Sequence, residues 1–442
     1  MPDRPRRAWP ALDPALFAST LVVYAAGLPL GLDRVAAAPK VAAGLALDTT
    51  GLAQGTPLDV LAARVIAYLP LGDAATRANL AAALLGALAV TLVGRLCVNL
   101  LALFRPTPHA RLGPHHFAYE PLVAAGAALT TGLSLAVYQA VTSAGAAAAT
   151  LVLLAAAWLA AVRLLSGSGR PGHGLALALL AGLAAGVDPI AGPLLWPLAL
   201  GLWIWELRRG ERWPLWAPLL FVAGLGATVL ATTAASQTPL NLTGVLRSSW
   251  PSGTHGGAAL TANALELCDE VGVVALLLGG LGVLKLLVRA PLVAIWCGFT
   301  VLTALLLGHG PQHTDRAFEP ARGALPAAVL AAALPIGAGI VHLAGRLGRA
   351  RPPVAMVLAV LSLISPTLDG GTQRWVRDTR RPHRLLEHGL ARAPVSARVE
   401  PGSREMSGLF HYAQTLGWRP DLEIAAGPLP PPRERDAATV RR

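Results

Sequence analysis

Apolar residues in this chain come in long blocks and do not alternate with polar ones, and a block of roughly 20 apolar residues is what a helix needs to cross a bilayer. Over 442 residues, 54% are hydrophobic and only 14% are charged. The pattern is that of a polytopic membrane protein. With 36 Lys and Arg against 24 Asp and Glu the chain is basic, a balance that in a soluble protein would point to nucleic acid. Here the positive residues gather at the ends of the apolar blocks, where membrane orientation accounts for them, so nucleic acid is not an expected partner. Cys97, Cys268 and Cys297 are three in number, and Cys97 and Cys297 lie in apolar surroundings, so neither a disulfide framework nor a metal cluster is indicated.

About eleven spans are expected, near residues 14–32, 76–97, 119–138, 145–165, 174–188, 190–206, 214–232, 270–286, 291–308, 324–345 and 353–367. Residues 1–13 carry three arginines and no small-residue cleavage pattern follows the first apolar run, which predicts an uncleaved first span with a cytoplasmic N-terminus. The loops on that side hold Arg105, Arg111, Arg170, Arg208, Arg209, Arg212, Arg289, Arg346, Arg349 and Arg351. The opposite face then receives the segment 33–75, the Asp188-Pro189 corner, the loops 233–269 and 309–323, and the tail. The fold expected is all-α and polytopic over 14–368, with a small α/β extramembrane appendage over 369–427. That appendage rests on strand-like runs at Ser396–Val399 and Leu422–Ile424 flanking a helix-like segment. The Pro-rich end, 428–442, reads as disordered.

The stretch Leu47–Val90 interrupts the spans with polar and turn residues. Pro57 can open a helix with Leu58, Leu61, Val65 and Leu69 on one face, a short amphipathic helix on the membrane surface. Pro70-Leu71-Gly72 stops it, and Asp73 can cap the next, apolar helix.

The order of this stretch, GTPLDVLAARVIAYLPLGDAATRANLAAALLGALAV, then LAVYQAVTSAG and LAGLAAGVDP, with HTDRAFEP before a late span and HYAQTLGWRPDLEI in the tail, resembles the protein O-mannosyltransferase-like membrane proteins of the GT-C superfamily, specifically glycosyltransferase family 117. The resemblance covers most of the chain. It implies a GT-C-like enzyme that takes a sugar, such as mannose or another hexose, from a polyprenyl-phosphate carrier on the non-cytoplasmic face and places it on a protein or glycan hydroxyl. The Ala/Arg/Gly-rich composition adds a bacterial inner membrane as the expected location. The polar signature is thinned relative to the family: Lys40 stands where an acidic residue is usual, Leu52 where a His is, Ala144, Gly145 and Ala146 where Glu-Val-Tyr is, and Asp188 in place of a further His. Gly55 and Pro57 remain from the family's substrate-binding pattern.

Transfer from a lipid phosphate needs a carboxylate to accept the proton of the attacking hydroxyl, and cations or dipoles to hold the leaving phosphate. Candidates for the carboxylate are Asp48, Asp188 and Asp33. The ordinary reading of Asp48 is a turn or cap residue before Thr49 and Thr50, and that of Asp33 a span end beside Arg34, while Asp188 is as readily an Asp-Pro turn between two apolar segments. Asp269 and Glu270 begin a span, where capping and the helix dipole suffice to explain them. For the phosphate, Arg316 and Arg247 are candidates, with Arg34 and Arg322 on the same side; a loop ion pair with Asp315 or Glu319 is the ordinary reading of Arg316. His309 and His313 lack a Cys or carboxylate partner at metal-ligand spacing, so a divalent metal is possible for the reaction class but not indicated. Two other readings stay open: a family descendant without catalysis that binds lipid-linked sugar or scaffolds another enzyme, and a transporter, against which stands the lack of an internal repeat.

Overall fold

A computed structural model describes residues 11–28, 41, 65, 70, 72–102, 119–142, 146–165, 171–187, 191–235, 257–307, 324–346, 351–375, 386–388, 390, 393–400, 409–410, 413–414, 416–424 and 439–441. The helices in chain order are α1 (Leu12–Ala26), α2 (Ala74–Ala102), α3 (Glu120–Gly132), α4 (Leu135–Thr142), α5 (Ala146–Leu165), α6 (Pro171–Val187), α7 (Ala191–Arg208), α8 (Ala217–Ala235), α9 (Gly257–Val271), α10 (Val273–Arg289), α11 (Pro291–Leu307), α12 (Ala324–Ala331), α13 (Ala333–Gly345) and α14 (Arg351–Trp375). Alanine and leucine fill most of them, and both are strong helix formers. As the sequence suggested, Asp73 starts α2: the Thr76 N–H donates to its carboxylate at 2.7 Å, satisfying one of the orphan donors of the first turn.

Among the described residues, three stretches are long and apolar enough to cross a membrane, namely Ala74–Ala102, Ala147–Leu165 and Leu325–Gly345, and the bent pair α3 and α4 makes a fourth. The chain is therefore mostly helical, with the character of a membrane protein. Each expected span overlaps a helix, but three boundaries differ from the hydropathy reading. The segment 119–138 breaks into α3 and α4, bent by 73°. α9 occupies part of the expected loop 233–269. α14 continues to Trp375, past the expected boundary at 368. Hydropathy marks where lipid ends, not where the backbone stops being helical.

α2 lies at the centre, packed against α1, α3, α4, α5 and α13, with Ala83, Ala87, Val90, Val93 and Leu96 buried. Elsewhere the helices approach through glycine. α6 crosses α8 where Gly182 faces the Phe221 carbonyl and Gly224 faces the Leu179 carbonyl. α10 crosses α13 where Gly282 meets the Pro335 carbonyl and Gly339 meets the Leu278 carbonyl. A Cβ at any of the four would fall on a neighbouring backbone, the close approach that small residues provide between membrane helices. Trp158 of α5 and Trp296 of α11 fill a wider gap, edge to face with ring centroids 4.7 Å apart.

Beyond the helices, β1 (Arg398–Glu400) pairs parallel with β2 (Glu423–Ile424) and antiparallel with β3 (Thr439–Arg441). β3 corrects the expectation of disorder over 428–442 at its last residues, because Thr439 and Val440 are β-formers that find a ladder on β1. The turn before β2 is tied by Arg419, whose guanidinium makes two bonds of 2.9 Å to Asp421 and donates to the carbonyls of Leu390 at 2.8 Å and Ala393 at 3.0 Å. Asp421 also accepts from the Ser396 N–H at 3.1 Å.

Two outcomes follow from this packing. Gly282→Ala places a methyl against the α13 backbone and is expected to cost about 1–3 kcal/mol. Gly280→Ala, two positions earlier with open space around it, is expected to leave the melting temperature in detergent unchanged or raised. In the tail, the hydrogen bonds from Arg419 and then Ser396 hold the Asp421 carboxyl well below the usual carboxylate range. Its folded value lies below its unfolded one, so the stabilisation is complete above the ordinary carboxylate pKa and is lost as pH falls toward the folded value. The protection factor of the Ser396 amide, the exchange rate of an unstructured amide at the same pH divided by its own, is expected to fall over that acid range, and Asp421→Asn to lower the protection factor and remove its pH dependence.

Candidate functional site

The break between α3 and α4 gathers polar side chains from distant helices within the described bundle. Leu133 and Ser134 leave the helix, and Ser134 restarts it by offering its hydroxyl to the Val137 N–H at 3.4 Å. The break strands carbonyls at the end of α3 and N–H groups at the start of α4. Side chains from two distant helices meet them. Tyr24 of α1 donates its hydroxyl to the Gly132 carbonyl at 2.6 Å. Glu270 of α9 accepts the Ala136 N–H on Oε2 at 2.7 Å.

Tyr24 is fully buried and sits edge to face with Tyr138 of α4, centroids 5.7 Å apart. Gly27 closes this corner: a Cβ there would fall on the Tyr138 hydroxyl. The end of α1, the break and the end of α9 are thus one unit, with a carboxylate and two phenols at its centre.

Glu270 corrects a reading of the sequence. It does not begin a span but lies in the last turn of α9, and Gly272, with φ of 80°, separates that helix from α10. A carboxylate in a last turn is unfavourable to its own helix dipole. It is instead favourable at the N-terminus of α4, which it caps from 134 positions away. No local pattern in the sequence announces that partner, and Tyr24, inside an apolar run, is equally silent. The signal available was an acidic pair, Asp269-Glu270, beside an apolar block.

Asp33, Asp48, Asp188, Arg247, Arg316, Gly55 and Pro57 all lie outside the described residues, as do Arg34, Lys40, Leu52, Arg322, His309 and His313. Of the expected surface helix that starts at Pro57, Val65 is described; it is helical and exposed. In sequence, Asp188 directly follows Val187, the last residue of α6. Among the described residues no three His, Cys, Asp or Glu side chains gather as a metal site. Comparison with known proteins returned no matching family model, no matching curated protein and no matching solved structure.

Removing the Tyr24 hydroxyl as Tyr24→Phe leaves the Gly132 carbonyl without this buried donor and is expected to lower stability by about 1–3 kcal/mol. Glu270→Ala is expected to destabilise more than Glu270→Gln, which keeps an acceptor oxygen for Ala136. Amide exchange across 133–142, together with thermal unfolding in detergent, checks both.

Proposed function

We propose that this chain is a GT-C type membrane glycosyltransferase of about eleven spans that moves a sugar from a polyprenyl phosphate to a protein or glycan hydroxyl at the outer face of the inner membrane. The resemblance of the sequence segments to glycosyltransferase family 117 supports the class. The structural feature that supports a site at the outer face is the polar break at Gly132–Leu135. With the N-terminus inside, as the arginine distribution predicts, α1 and α3 both run outward, so Tyr24, Tyr138 and Glu270 stand at the outer end. That is the end to which the loop 33–75 and the Asp188 corner also belong.

In the reaction, the acceptor hydroxyl oxygen forms a bond to the sugar's anomeric carbon while the bond from that carbon to the phosphate oxygen breaks. The hydroxyl proton passes to a carboxylate, and polyprenyl phosphate leaves. Glu270 is poorly suited to receive that proton. Its Oε2 already accepts the Ala136 N–H at 2.7 Å, so the carboxylate is engaged in holding the start of α4. Its role is to position α4 and the break. The proton acceptor is then Asp48 or Asp188, with Asp33 as a further candidate, and Arg316 or Arg247 stabilises the leaving phosphate. Gly55 and Pro57 shape the substrate-binding loop, and no metal is required by this scheme.

A second reading is a descendant without catalysis that binds the lipid-linked sugar or scaffolds an envelope glycosylation enzyme. Lys40 and Leu52, at the positions where the resemblance calls for an acid and a His, favour it. Release of polyprenyl phosphate from a labelled polyprenyl-phosphate hexose by the purified protein in lipid, with an acceptor extract, separates the two. Transfer is expected to fall about 10²–10⁴-fold when the general base is removed in Asp48→Asn or Asp188→Asn. Full activity in Asp33→Asn, Asp48→Asn and Asp188→Asn alike would reject the site assignment. Saturable carrier binding without release by the wild type would establish the second reading.

A further inference from the structure

The bundle carries a groove far along the chain from the polar break. It has a volume of about 450 Å³ and lies between α6, α7 and α8, with Ala178, Trp196, Leu200, Trp203, Trp213 and Phe221 among its walls. Sequence periodicity builds it: Trp196, Ala199, Leu200 and Trp203 recur on one face of α7. The turn 209–216 folds back over its end, where the Trp203 indole N–H donates to the Pro214 carbonyl at 2.7 Å. Gly174 brings α6 flat against the Trp213 ring. The outer wall is open: Trp196 is 50% exposed, Leu200 49% and Val222 62%.

The volume falls within the roughly 300–1,000 Å³ of sites that hold small molecules, whereas a helix about 10 Å across would fill it with roughly one turn. The apolar walls and this volume admit a hydrocarbon chain but no more than about a turn of a partner helix. The turn beside the groove supplies the other half of a lipid. Arg208 and Arg212 are exposed and have no ion-pair partner among the described residues. Arg209 is already engaged, its guanidinium 3.9 Å from the Trp205 ring centroid and 3.7 Å from the buried Glu206. Glu211 is the remaining acidic residue of the turn. Under the arginine-based orientation, this turn faces the cytoplasmic leaflet, where anionic headgroups gather.

We propose that this groove is a binding site for one acyl chain of an anionic glycerophospholipid, whose phosphate is held by Arg208 and Arg212. The site takes a structural lipid from the inner leaflet and is independent of the sugar-transfer reading, which concerns the opposite end of the bundle.

Tryptophan quenching by brominated acyl chains tests it on the full chain in phosphatidylcholine vesicles. Dibrominated phosphatidylglycerol is expected to quench a saturable fraction of the fluorescence at roughly tenfold lower mole fraction than dibrominated phosphatidylcholine, given two arginines near the surface. Arg208→Gln with Arg212→Gln should erase that headgroup preference. Ala178→Leu with Ala199→Leu, which fills the groove, should erase the saturable fraction itself. Equal, unsaturable quenching of the wild type by both lipids would mean ordinary annular contact and would overturn the proposal without any variant. A phosphatidylglycerol preference that survives both double variants in folded protein would overturn the assignment to this groove.

Discussion

Inside a bilayer a backbone N–H or C=O has no water to turn to, and leaving one unpaired costs several kcal/mol. The buried break between Gly132 and Leu135 leaves such groups at the end of α3 and the start of α4, inside the described bundle. They are met by Tyr24 on one side and Glu270 on the other, so that α1, α3, α4 and α9 hold one another in place. A bend of 73° at this point would otherwise expose carbonyls and amides together. The same constraint explains why a carboxylate is tolerated here: it is paired with a helix N-terminus and not left against lipid.

The rest of the bundle is held by a different means. Between helices in lipid there is little hydrophobic drive, so close packing decides which faces meet. Gly182 with Gly224, and Gly282 with Gly339, let backbones touch, while Trp158 and Trp296 fill the volume where they do not. Where α3 meets α14, Gly126 abuts Ala359 and the hydroxyls of Thr130 and Ser362 lie 3.0 Å apart. Among the described residues no helix covers the outer wall of α7 and α8, where Trp196, Leu200 and Val222 are exposed, and the groove lies there.

Much of this was legible in the residues. Helices stand at each expected span, because Ala- and Leu-rich blocks fix both helix formation and its apolar surface. Asp73 announced the start of α2, since a short acid before an apolar run at a helix start has few other uses. α9 was hidden by its polar composition, and the α3 and α4 break by its apolar one: Gly132, Leu133 and Ser134 do not lower hydropathy enough to mark an end. Glu270 was visible as an acid beside a span, but its service to α4 was not.

The sequence by itself determined that the chain is mostly helical with the character of a membrane protein, and where its apolar segments fall, because hydropathy acts on each segment alone. Only the tertiary structure decided that Tyr24, Gly132, Tyr138 and Glu270 share one corner, that paired glycines set the helix crossings, and that three helices leave a groove. Those depend on which faces meet across more than a hundred residues, and a partner at that separation leaves no periodicity in the chain.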